Sequence, residues 1–189
     1  MILEQTEGTK ETLSAQELFT LVRDIPFVLG VDGKPETLIR DNCGECTRKH
    51  LFLAPRLRKI GYKVDIGLAQ FDWRELPIPN DILLLLKQPI QYHMFLYLKK
   101  NGISTVVDAT WDKDMIEKGF PLVEWSDSGE MKLAVRPINI CAINLPVLQA
   151  RSVVSQSINN VKKLIHGPQK TPFNDAFNNW LGRSEFRRG

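Results

Sequence analysis

Between Cys46 and Val107 the chain spells out one amphipathic helix followed by strands joined as a hairpin, and this order constrains the fold more than any other feature. Leu51, Phe52, Leu53, Leu57 and Ile60 fall mostly on one helical face, and Gly61 is a natural stop. Pro55 lies inside that stretch, where it removes one backbone bond and bends the helix. Tyr62 to Trp73 then alternates at Val64, Ile66 and Leu68, as a strand does. Pro77, Pro79 and Pro89 break residues 74–90 into a loop with one short apolar turn. Tyr92–Leu98 and Ser104–Val107 are two further strand-like runs, with the turn Lys99-Lys100-Asn101-Gly102 between them.

The flanks add helices. Residues 1–13 are expected to be a disordered lead-in. Ser14-Ala15-Gln16-Glu17 is a capping box ahead of Leu18, Phe19, Leu21 and Val22, and Pro26 ends that helix. Gly30–Pro35 is rich in turn residues, and residues 36–42 suit a short helical turn or an irregular approach to Cys46. Asp112 can cap a short helix that stops at Gly119, Ser126–Gly129 is a turn, and Met131–Val135 is expected as a strand. Arg151–Ile165 has helical spacing and is closed by Gly167-Pro168, while Phe173, Phe177 and Leu181 repeat as on a final amphipathic helix. Hairpin-linked strands with helices set apart in sequence indicate α+β rather than a doubly wound α/β sheet. The expected organisation is one catalytic domain over 14–136, with 137–189 a helical extension packed on it.

Composition excludes several functions. A net charge of +3 without a long Lys/Arg block argues against nucleic acid as a partner. The three arginines within Arg183–Gly189 are expected in a solvated tail. The polar, acidic start is unlike a signal peptide, and the longest apolar run, Ile82–Leu86, is too short to cross a bilayer, so no membrane is implied. Three cysteines are an odd number and too few for a disulfide framework, which favours free thiols in a cytoplasmic setting.

The chemistry rests on Cys46, His93 and Asp108. Cys46 stands where Gly44 leads into the helix, so unpaired N–H groups and a partial positive charge favour a thiolate there. The same N–H groups can cradle an oxyanion. His93 lies in the apolar run Gln91-Tyr92-His93-Met94-Phe95, and Asp108 ends the next strand, where hairpin pairing brings the strand ends together. A thiol, an imidazole and a carboxylate are a nucleophile, its base and the group that orients the base. Two rival readings use neighbouring residues. Cys43-Gly44-Glu45-Cys46 is a C-x-x-C, as in redox dithiols, although no strong apolar strand precedes it. Cys43, Cys46 and His50, completed by Cys141 or His93, have zinc-ligand spacing, although there is no second tight pair. His50 is otherwise expected on the helix surface. A third reading is a non-catalytic binding module with a vestigial site. Trp73, Trp111, Trp125 and Trp180 can line a pocket, but core packing is their simpler role.

Three blocks together resemble the transglutaminase-like superfamily of papain-like cysteine enzymes. They are Gly44-Glu45-Cys46-Thr47-Arg48-Lys49 continuing to Gly61-Tyr62-Lys63-Val64, then His93 with Phe95, then Val107-Asp108-Ala109-Thr110. The resemblance spans roughly residues 40–112. It implies a papain/transglutaminase-like α+β core, with the Cys helix packed on an antiparallel sheet carrying His and Asp. It also implies Cys46 as nucleophile, His93 as base, Asp108 as orienter, and acyl transfer from an amide or ester of a protein, peptide or small molecule. No cofactor is implied. This chain departs from the family pattern in having Met94-Phe95 after the histidine, no tryptophan before Cys46, and no acidic cluster like the calcium sites of animal cross-linking enzymes. Asn42 and Gln91 are the candidates for a side-chain oxyanion donor.

Overall fold

The computed structural model describes residues 13–31, 34–126, 129, 132–143 and 171–187. The expectations for 1–12, for the tip of the 126–129 turn and for a helix over 151–165 lie outside the described residues.

Helix α1 (Ala15–Arg23) begins with the expected capping box: Ser14 Oγ accepts from the Glu17 N–H at 3.2 Å, and the Glu17 carboxylate accepts from the Ser14 N–H at 2.8 Å. Its buried face carries Leu18, Phe19 and Val22. A 3-10 turn (Pro35–Thr37) leads into the single turn α2 (Leu38–Asp41), which Asn42 closes in the left-handed region. Helix α3 (Cys46–Lys59) tolerates Pro55 and buries Leu53, Ala54 and Leu57 completely. Gly61, at φ 92°, turns the chain out of it, with Tyr62 N–H returning to the Leu57 carbonyl.

Four strands, β1 (Lys63–Asp72), β2 (Ile90–Lys100), β3 (Ile103–Val107) and β4 (Asn139–Ile143), form one antiparallel sheet in the order β3-β2-β1-β4. Val64, Ile66 and Leu68 pair with Leu98, Leu96 and Met94, and this alternating set is buried in the core with the apolar face of α3. The β2–β3 connection is a two-residue turn, Asn101-Gly102, with both φ angles positive, which matches the twist of the hairpin. Gly67 faces Phe95 so closely that a Cβ would lie 2.5 Å from its ring, leaving no room for another residue. The 74–90 loop holds one helical turn, α4 (Asn80–Leu83), as its apolar residues suggested. Asp112 caps a 3-10 helix (Lys113–Lys118) that ends at Gly119, φ 85°. Helix α5 (Pro172–Trp180) buries Phe173 and Phe177 against Trp73, at 5.3 and 5.7 Å between ring centres. Helices and an antiparallel sheet make the fold α+β, and none of the described helices is long and apolar enough to cross a membrane.

Three expectations need correction. Residues 132–135 are not a strand: the Ala134 N–H goes to the Asp108 carboxylate at 2.8 Å and its carbonyl takes the Trp111 indole N–H at 2.7 Å, so side chains occupy the groups a ladder would need. The chain after 137 opens with a strand, not a helix, because the free edge of β1 accepts Asn139–Ile143. Arg183 is not in a solvated tail. It is buried, bidentate with Asp112 at 2.7 and 2.8 Å, and donates to the Phe27 carbonyl.

Candidate active site

Cys46 is positioned by the turn before it. Gly44 pairs with Phe27 as an isolated parallel bridge, and its N–H bonds the Pro26 carbonyl at 3.0 Å. A Cβ on Gly44 would come within 2.7 Å of buried Leu38, so only glycine allows this approach. The chain then enters α3 with Glu45 as the N-cap and half-buried Cys46 as the first helical residue. The Glu45 side chain makes no capping hydrogen bond, so the first-turn amides beside the thiol are not taken up by their own N-cap.

The β2–β3 hairpin supplies the other two groups. Its register pairs Leu96 with Val107, which sets Asp108 just past the end of β3 and within reach of His93 on β2. His93 Nε2 lies 2.6 Å from Asp108 Oδ2, and both side chains are buried. Nε2 is thus engaged by Asp108, and Cys46 is near enough to the imidazole to favour its charged form. Asp108 also accepts from Ala134 N–H at 2.8 Å and from the Thr110 hydroxyl at 2.5 Å. Burial opposes a charge on His93, but the Asp108 carboxylate, its hydrogen bond and then Cys46 outweigh burial and raise the imidazole pKa. For Asp108 the balance runs the other way: burial favours the neutral acid, while His93, then His50 and Thr110, hold the carboxyl well below its ordinary range. The sequence-predicted trio is thus brought together.

His50, expected on the helix surface, is instead buried, and so are Thr47, Arg48 and Lys49 beside it. Arg48 reaches the carbonyls of Lys34 and Cys43 at 3.0 Å and also contacts Thr37 and Asp41. Lys49 Nζ donates to the carbonyls of Arg23 and Thr110, each at 2.9 Å, and burial pushes its pKa down to about 7. His50 is fully enclosed between the Cys46 carbonyl (2.7 Å) and the Ala109 N–H (2.9 Å). Sequence reading missed these roles because the partners are backbone groups of distant segments, which leave no local pattern.

The remaining candidates do not join the trio. Gln91 donates to the Gln88 carbonyl, Asn42 forms the left-handed end of α2, and among the described residues neither bonds to Cys46, His93 or Asp108. Cys43 and Cys46 are both free thiols, Cys43 being buried. The zinc reading loses His50, whose two ring nitrogens are both engaged by backbone groups. Among the described residues no three His, Cys, Asp or Glu side chains converge in a way that could hold a metal ion. Trp73 and Trp111 are buried in the core, as their simpler role required. No protein-family model matches the chain, and no curated protein matches it significantly.

Proposed function

We propose that this chain is a cysteine-dependent acyl-transfer enzyme with a papain/transglutaminase-like core, acting on an amide or ester, with hydrolysis as the favoured outcome. The observation that carries the reading is the buried His93–Asp108 pair at 2.6 Å beside a half-buried thiol at a helix N-terminus that its N-cap side chain leaves unbonded. In this reading the thiol proton of Cys46 has already passed to His93 when Sγ attacks the carbonyl carbon. The first-turn amides of α3 stabilise the oxyanion. The intermediate collapses to a thioester as His93 protonates the departing amine or alcohol. Water, or an amine in the cross-linking variant, then attacks the thioester with His93 as base, and Cys46 leaves with its proton restored. Asp108 holds the ring orientation and its charge throughout. Cys43 stays a free thiol, in keeping with a reducing, cytoplasmic setting.

The test is the rate of iodoacetamide labelling against pH, read by peptide mapping, in wild type and His93→Ala, followed by a screen of amide and ester substrates. Selective fast labelling of Cys46 below pH 7 that disappears in His93→Ala supports the reading. Uniformly slow labelling of all cysteines overturns it and leaves a binding module on a related fold.

A further inference from the structure

The proposed mechanism does not use His50, yet this ring bonds both the Cys46 carbonyl and the N–H of the residue after Asp108. It lies one turn after Cys46 on α3 and is fully buried. A backbone N–H can only donate, so the 2.9 Å bond from Ala109 N–H requires an unprotonated Nε2 on His50. Nδ1 therefore carries the hydrogen and donates it to the Cys46 carbonyl at 2.7 Å. These two backbone partners fix a neutral Nδ1–H tautomer and leave the ring no freedom to turn.

The position matters for what the ring separates. Its Nε2 is 3.7 Å from Asp108 Oδ1, and its plane meets that of His93 nearly edge-on, with 6.3 Å between ring centres. The titratable groups that act on it are Asp108, His93 and Lys49. A protonated His50 would leave Ala109 N–H without an acceptor and set a cation beside Asp108, in competition with His93. Burial prevents this by pushing the His50 pKa down to about 4.

We propose that His50 is a positioning residue for the Cys46–His93–Asp108 group: a neutral imidazole strut that fixes the turn bearing the nucleophile against the peptide that follows Asp108. The inference rests on the acyl-transfer reading of the site. It touches no substrate and acts through the placement of Asp108 on His93, in the way outer-shell partners orient the groups that react.

The experiment records iodoacetamide labelling of Cys46 from pH 5 to 9, with Tm, in wild type, His93→Ala, His50→Gln and His50→Asn. Glutamine can place its amide oxygen near the Nε2 position and accept from Ala109 N–H. The shorter asparagine matches only the Nδ1 position and abandons Ala109. The expected result is a His50→Gln profile within about threefold of wild type and a His50→Asn rate at pH 6 at least about tenfold lower, approaching the His93→Ala curve. Overlapping profiles for both variants, with only Tm changed, would mean a structural residue and overturn the proposal. A second measurement needs no variant: ring-nitrogen NMR of the wild type must show His50 as the Nδ1–H tautomer at neutral pH, and the Nε2–H tautomer refutes it. A wild-type profile that already coincides with His93→Ala overturns the triad reading itself, and with it this role; a His93-dependent wild type with indifferent His50 variants overturns the His50 role alone.

Discussion

Asp108→Asn isolates the charge of the orienting carboxylate from its hydrogen bonds. With the asparagine oxygen at the Oδ2 position, His93 and Ala134 N–H keep their acceptor. The amide nitrogen then takes the Oδ1 position, where the Thr110 hydroxyl turns from donor to acceptor. The bonds to His93 and Ala134 survive and only the Thr110 hydroxyl and one amide hydrogen lack an acceptor, so the fold should lose little beside the charge. What disappears is an ion pair at 2.6 Å. At an effective dielectric near 20 that pair is worth about 6 kcal/mol, or a factor of about 10,000 in the protonation equilibrium of His93. Burial already opposes the imidazolium, so without Asp108 the ring is neutral at pH 7. The assay is ring-nitrogen NMR of the chain's three histidines across pH 5–9, with signals assigned by single substitutions. His93 should remain protonated through neutral pH in wild type and be neutral at pH 7 in Asp108→Asn, and labelling of Cys46 at pH 6 should slow at least about tenfold. If His93 titrates at the same pH in both proteins, the carboxylate does not govern the imidazole and the reasoning fails.

Two further predictions concern stability. Asn178 clasps Leu29 through both backbone groups, at 3.0 Å to the N–H and 2.9 Å to the carbonyl, so Asn178→Ala orphans two buried groups and should cost about 2–5 kcal/mol in urea unfolding; a loss below about 1 kcal/mol contradicts the clasp. The buried histidines contribute to the pH dependence beside Glu45, whose folded pKa burial raises to about 8, and Lys49. His50 has a folded pKa near 4 against an ordinary 6.5, so the unfolded chain takes up a proton in that window that the folded chain refuses. The His50 contribution to stability should fall by about 3 kcal/mol as pH drops from 6.5 to 4, while Glu45, protonated in the fold, works in the opposite direction. Asp108, with its folded pKa lowered, contributes stability above its unfolded pKa and loses it only as the pH falls through the folded value, so it acts at the acid end of that window and below. His93, with its folded pKa raised, contributes fully below pH 6.5 and loses that contribution as the pH rises through the folded value. The difference in unfolding free energy between wild type and His50→Gln should therefore change by about 3 kcal/mol between pH 6.5 and 4, and a constant difference over that window refutes the account.

What was legible in the sequence is what local chemistry decides. The α3 helix, its stop at Gly61 and the 99–102 turn were visible because periodicity and turn residues act within a few positions. The trio was visible because hairpin pairing is itself local. Met131–Val135 shows how that logic fails. Its residue types suit a strand, but Ala134 is held by Asp108 and Trp111, more than twenty residues away. Arg183 fails in the same way: a basic residue in a basic tail reads as solvated until Asp112 and the Phe27 carbonyl, 71 and 156 positions earlier, are known. His50 is the sharpest case, since a residue expected on the helix surface is buried between the Cys46 carbonyl and the Ala109 N–H.

That placement has a physical cost that argues for its purpose. Burying Arg48 and Lys49 removes two cations from water, and apolar side chains of similar volume generally serve stability as well or better. Apolar side chains have no direction, however. Lys49 meets carbonyls from the end of α1 and from the Thr110 segment at the same 2.9 Å, Arg48 ties α3 to the 34–43 loop, and His50 joins the nucleophile residue to the peptide after Asp108. Three consecutive residues thus fix three separate segments to the turn that bears Cys46, each through bonds that tolerate only a few tenths of an ångström. The aromatic core around Trp73, Phe173 and Phe177 could shift and repack without losing its contacts. In the proposed reaction a thiol must meet an imidazole, and it cannot shift in that way, because a displacement of one ångström would separate the two groups. Arg48, Lys49 and His50, three polar groups that are costly to bury, therefore lie within about one turn of Cys46, where direction matters more than the stability they forgo.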